Sequence, residues 1–122
     1  MSEALVYGLF LALFLTTAGL GFGLYRRSRR YGRWLPVWGL AHAGLGLAAL
    51  SGLIGLAVSV GDNRWLNSAA LFLVLAAIGG GFAWLVRSRS ETPILPIVLL
   101  HAAAALMGVL LLLGALLGAR GG

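Results

Sequence analysis

The chain of 122 residues contains no cysteine, no lysine and only three acidic residues, Glu3, Asp62 and Glu91. Without thiols it forms no disulfide, builds no thiolate-bound zinc or iron–sulfur site and carries out no thiol redox chemistry in any compartment. Charged residues make up 10% of the chain, where a soluble domain carries roughly a quarter. No nucleophile has a base at a useful spacing, and there is no carboxylate pair, phosphate-binding loop or zinc constellation, so hydrolytic enzymes are set aside. What replaces the missing charge is apolar: 61% of the residues are hydrophobic, and 19 more are glycine. That balance is wrong for water and right for a bilayer.

Four uninterrupted apolar stretches run over 4–25, 34–60, 65–86 and 94–119. The shortest hold 22 residues, which at 1.5 Å per residue is about 33 Å, enough for a hydrocarbon core of about 30 Å. The connections 26–33, 61–64 and 87–93 are short, which makes sequential helices antiparallel neighbours. The expected fold is therefore all-α, an integral membrane up-down four-helix bundle. The first stretch has no basic flank before it and is too long for a signal-peptide core, so it reads as a retained helix.

Of nine arginines, seven lie in the first and third connections: Arg26, Arg27, Arg29, Arg30, Arg33, Arg87 and Arg89. Only Arg64 and Arg120 fall on the other side. Positive charge stays cytoplasmic, which places loops 26–33 and 87–93 inside and both termini outside, as in a bacterial inner membrane. The basic loops are short and flanked by lipid, so their first partner is the lipid bilayer and its anionic head groups; nucleic acid is excluded.

An internal repeat appears at an offset of 60: Gly19, Gly21, Phe22, Arg27, Ser28, Arg29, Leu35 and Pro36 recur as Gly79, Gly81, Phe82, Arg87, Ser88, Arg89, Leu95 and Pro96. With one residue deleted, His42 and Ala43 match His101 and Ala102. The chain reads as two tandem duplicated helical hairpins, residues 1–60 and 61–122, in a single four-helix domain. Two spans per copy give the copies the same orientation, which disfavours inverted-repeat transport.

The only two histidines, His42 and His101, are thereby equivalent, and each lies about 10 Å inside its span. Ionisable groups at that depth tend to face the bundle interior and mark function. Small residues share their layer: Gly39 and Gly46 beside His42, Ala104 and Ala105 beside His101, Gly19, Gly21 and Gly23 on the first helix, and Gly79, Gly80, Gly81 and Ala83 on the third. In an up-down ring the second and fourth helices are diagonal, so the imidazoles should face each other across the axis and frame a flat slot. Two neutral imidazoles across an apolar slot suit haem iron as axial ligands. Arg27, Arg29, Arg33, Arg87 and Arg89 are then the available partners for its propionates.

In this four-span plan, the histidine pair and the glycine layer, the sequence resembles the four-helix membrane b-type cytochromes, the b561-like group among them. The resemblance implies haem b between transmembrane histidines, glycines clearing the ring, and electron exchange with quinone or a soluble reductant. Two histidines match one haem, where many dihaem members carry a second pair. The expectation is thus an electron carrier or membrane oxidoreductase with His42 and His101 on the metal and Gly19, Gly23, Arg27, Arg29, Gly39, Gly46, Gly79, Arg87, Arg89 and Ala105 around the cofactor. The competing expectation is a non-catalytic accessory or assembly subunit of a larger membrane complex, in which the histidines only bond to each other or to helix carbonyls. Small four-span multidrug exporters are alike in size but depend on an acid within the first span, and here Glu3 precedes it.

Overall fold

A computed structural model describes residues 2–32, 35–87 and 95–121. They form four helices: α1 (Glu3–Tyr31), α2 (Pro36–Val60), α3 (Arg64–Arg87) and α4 (Leu95–Gly121). All four are long and apolar enough to cross a membrane, which is compatible with an integral membrane protein.

α1 outruns its expected span, because residues 26–31 continue the helix instead of opening a loop. Arginine is a good helix former, and cations are favoured at a helix C-terminus, so the basic run extends α1. It stops at Gly32, whose φ of 61° is the left-handed conformation that ends helices and suits glycine. α2 begins on Pro36, where a missing N–H costs nothing. The α2–α3 corner turns at Gly61, with φ 78°. Asn63 then opens α3, its Oδ1 accepting from the Leu66 N–H at 3.0 Å. The Asn63 amide also donates to the Tyr7 hydroxyl at 3.4 Å, which ties α1 to this corner.

Each helix packs on its two ring neighbours, α1 on α2 and α4, and α3 on α2 and α4; the diagonal pairs have no close backbone approach among the described residues. The tightest seam joins α3 to α4. There a Cβ on Gly108 would come within 2.5 Å of the Leu73 side chain, and one on Gly114 within 2.7 Å of the Trp65 ring. Small residues thus bring the backbones together, the usual means of association where lipid removes the hydrophobic drive.

The contiguous large-side-chain core lies in one half of the bundle, away from the arginines, and Leu24 is buried apart from it. Tyr7, Phe14, Leu50, Leu53, Leu66, Leu73, Leu112 and Leu116 form it, with alanines 49, 57, 69, 70 and 115. The outside of the bundle is equally apolar: Val37, Leu40, Val58 and Leu100 are mostly exposed. That surface belongs against acyl chains rather than water.

Candidate functional site: the histidine layer

Above the core, toward the arginine-rich end, the inward positions change character. His42 and His101 each occupy the seventh position of their helix, α2 and α4. Although these helices are diagonal, the two imidazoles meet across the axis with ring centroids 5.9 Å apart and planes at 82°. The pairing expected from the ring order is present. The flat slot expected between the rings is not, since they stand edge to face.

The reason lies in where each Nδ1 is drawn. In His42 it donates to the backbone oxygen of Thr17 at 2.8 Å, and in His101 to that of Ala76 at 2.6 Å. A carbonyl can only accept, so Nδ1 carries a proton in both rings, which in a neutral imidazole leaves the lone pair on Nε2. Both bonds stay within a hairpin, α2 to α1 and α4 to α3.

Helix carbonyls are ordinarily covered from the side by the residue one turn on. Here the residues four beyond Thr17 and Ala76 are Gly21 and Gly80. A Cβ on Gly21 would stand 2.7 Å from His42 Cε1, and one on Gly80 would stand 3.0 Å from His101 Cε1. Glycine therefore uncovers the acceptor and makes the notch into which the ring settles. The same arrangement occurs twice, 59 residues apart: Thr17, Gly21 and His42, then Ala76, Gly80 and His101.

That spacing departs by one residue from the offset of 60 suggested by the glycines and arginines. Gly81, paired with Gly21 in the sequence, is exposed with open space beside it, whereas Gly80 takes the ring. Buried positions follow the 59-residue register as well, Tyr7 with Leu66, Phe14 with Leu73, Thr17 with Ala76, and Leu53 with Leu112. Thr17 and Ala76 were not among the expected site residues, and Gly21 and Gly80, expected in the layer, were not among those expected around the cofactor. The spacing between the histidines themselves was the signal that finds them.

The remaining expected residues divide. Gly79 lies in the layer, where its Cβ would be 3.6 Å from His101 Cα and Cβ. Gly46 faces the Thr17 methyl, 3.1 Å from a built Cβ, while Gly39 is buried and Ala105 half-buried. Gly23 receives the Trp38 ring, at 3.2 Å from a built Cβ. The Arg27 guanidinium covers that same ring at 4.2 Å, a cation–π contact. Gly19 is exposed and meets nothing within 4 Å, so it points away from the histidines. Arg29 is exposed, Arg87 half-buried, and Arg89 lies outside the described residues, as do Arg33 and Trp34.

Among the described residues no group of three or more His, Cys, Asp or Glu side chains gathers to hold a metal. Two imidazoles are nevertheless the complete protein share for a metal whose other ligands come from a macrocycle. In donor type the two imidazoles match what such a metal takes from a protein, while the rings themselves stand edge to face with no slot between them. No known protein family, curated protein or solved structure matches the chain.

Proposed function

We propose that the chain is an integral membrane b-type cytochrome that holds one haem b between His42 and His101 and passes electrons within the bilayer. The observation that carries this reading is the equivalent imidazole pair, each ring bonded through Nδ1 to a backbone carbonyl, an arrangement that in neutral imidazoles leaves Nε2 as the metal donor. Metal-bound histidines commonly donate their second nitrogen in this way, which orients the ring and raises its basicity. When bound, haem supplies reversible one-electron chemistry. His42 and His101 would hold it, Thr17 and Ala76 would fix the ligand tautomer, and the apolar surroundings would keep water from the site.

The rest of the reading follows the charge. The arginine-rich end faces the cytoplasm of a bacterial inner membrane and both termini face out, because translocating that charge is disfavoured. The 59-residue recurrence supports an origin in two tandem hairpins. Quinone or a larger membrane complex is the natural electron partner for so small a carrier.

Absorption spectroscopy of detergent-purified protein, expressed with ample haem, tests the proposal. A Soret band with six-coordinate low-spin character is expected, and its absence ends the cytochrome reading. His42→Ala and His101→Ala should each abolish the low-spin signature; a variant that keeps it shows that the ligand lies elsewhere.

One observation favours a second reading. The imidazoles already have carbonyl partners and touch each other, as histidines would in a purely structural role in an accessory or assembly subunit. Haem-free protein that co-purifies with larger membrane proteins under mild solubilisation is the outcome expected from it.

A further inference from the structure

α1 carries residues 26–31 beyond its apolar stretch. Its 29 residues measure about 43 Å at about 1.5 Å per residue, longer than a hydrocarbon core of about 30 Å and equal to a whole bilayer with its head groups. The end of α1 therefore stands at head-group depth when the helix spans a bilayer. It holds Arg26, Arg27, Arg29 and Arg30, all exposed. At about 100° per residue the four fall within an arc of about 160°, and Ser28, 2% exposed, lies on the opposite side. The helix turns a small hydroxyl to the bundle and every cation away from it. The second hairpin has no such face among the described residues, since Arg87 is the single arginine at the end of α3.

Aromatic rings place three of the guanidiniums: Arg26 lies 5.8 Å from the Phe22 centroid, Arg27 4.2 Å from that of Trp38 and Arg30 5.8 Å from that of Tyr31. A ring occupies the face of a guanidinium, whereas the oxygens of an anion take the N–H groups in its plane. Stacked cations of this kind are positioned and still able to bind. Glu3 and Asp62 belong to the opposite end and Glu91 lies outside the described residues, so no described carboxylate neutralises them. Below the arginines, on the same side of α1, Phe22 is 63% exposed, and Gly19 is exposed with open space beside it. A ligand that fills both levels has an anionic head and an apolar tail.

We propose that the arginine face of α1 is a binding site for one anionic phospholipid. Its phosphate takes Arg26, Arg29 and Arg30, neighbours at i+3 and i+4 on the helix surface, and its acyl chains run down over Phe22 and Gly19. This differs from the general attraction of a basic end to acidic lipid in assigning one lipid to one side of one helix. The histidine layer is served by the other side of α1, through Gly21, so the lipid site does not depend on haem.

Protein in detergent micelles holding equal amounts of dioleoylphosphatidylglycerol and dioleoylphosphatidylcholine is released in a native mass spectrometer, and the lipids that stay bound are counted. Wild type should retain one phosphatidylglycerol with about tenfold preference, the scale of a net anion over a zwitterion beside several arginines. Arg26→Gln/Arg29→Gln/Arg30→Gln should bring the preference below about twofold, with phosphatidylcholine binding unchanged as the check on folding. Arg29→Gln alone, which leaves the three ring contacts in place, should lose about threefold. Arg64→Gln/Arg120→Gln, at the opposite end, should leave the preference as it is in wild type. Equal retention of the two lipids by wild type overturns the site, and so does an equal loss in the opposite-end variant, which is attraction to net charge alone. Excess glycerol 1-phosphate, a head without a tail, should not displace the lipid; displacement means that the face takes a soluble phosphate ester and overturns the lipid site. Wild type that keeps a co-purified protein chain in place of either lipid overturns it in favour of a protein partner.

Discussion

The two halves of the bundle solve the same packing problem with different materials. Away from the arginines the interior is filled by Leu53, Leu66, Leu112 and Tyr7, all fully buried. Toward the arginines it is filled by two imidazoles, the two carbonyls that accept from them, the glycines that expose those carbonyls, and the buried Leu24 and Ser28. The first half is held by dispersion between close-fitting side chains, the second by directional bonds. The contrast shows how a chain with few polar groups uses them: it concentrates them toward one end and leaves the rest to leucine and alanine.

That contrast can be broken at several points, with effects of decreasing size. Leu53→Ala or Leu112→Ala should cost about 2–4 kcal/mol in reversible unfolding from mixed micelles, since each leaves a cavity where nothing can collapse. The same variants should retain haem binding. A spectrum lost in parallel with the stability shows that the halves are not separable. Gly21→Val places branched bulk where a Cβ alone already meets His42 at 2.7 Å. The ring should leave the Thr17 carbonyl, with haem affinity falling at least about tenfold and stability by only about 1–2 kcal/mol. An unaltered titration curve for this variant contradicts the notch. Asn63→Ala removes the α3 cap and the Tyr7 contact at the packed end, for about 1 kcal/mol and no spectral change.

Smaller still, Arg27→Gln should cost about 0.5–1 kcal/mol through the lost stacking on Trp38. Quenching relief in Trp38 fluorescence reports the same change. Thr17→Val removes the Oγ1 bond to the Leu13 carbonyl but keeps the backbone oxygen that His42 uses. Its effect should stay below about 0.5 kcal/mol, because such back-bonding contributes little to a helix. A large loss of haem affinity here means that the side chain, not the carbonyl, supports the ligand.

Much of the architecture was legible in the sequence because hydrophobic runs and short connections leave few alternatives. The ends of α2, α3 and α4 fall within two residues of the apolar stretches. α1 runs longer because an arginine-rich segment is polar in composition yet helical in preference. The meeting of His42 and His101 followed from the ring order alone. Their partners did not, because a backbone oxygen carries no residue-type signature. Nor was the choice between Gly80 and Gly81 visible, since a one-residue shift within three consecutive glycines leaves the pattern intact while rotating the helix face by about 100°. On α1 the inward face carries Gly21 and Ser28, which leaves Gly19 outside.

The bonds that orient the rings lie within each hairpin, whereas the contact between the rings lies between hairpins. The bundle is thus a pair of jaws whose teeth are set independently of the bite. Parting the hairpins changes the distance from His42 to His101 without releasing either Nδ1 from its carbonyl. The aim of each ring is therefore fixed inside its own hairpin, and the gap between the rings depends only on how the two hairpins pack.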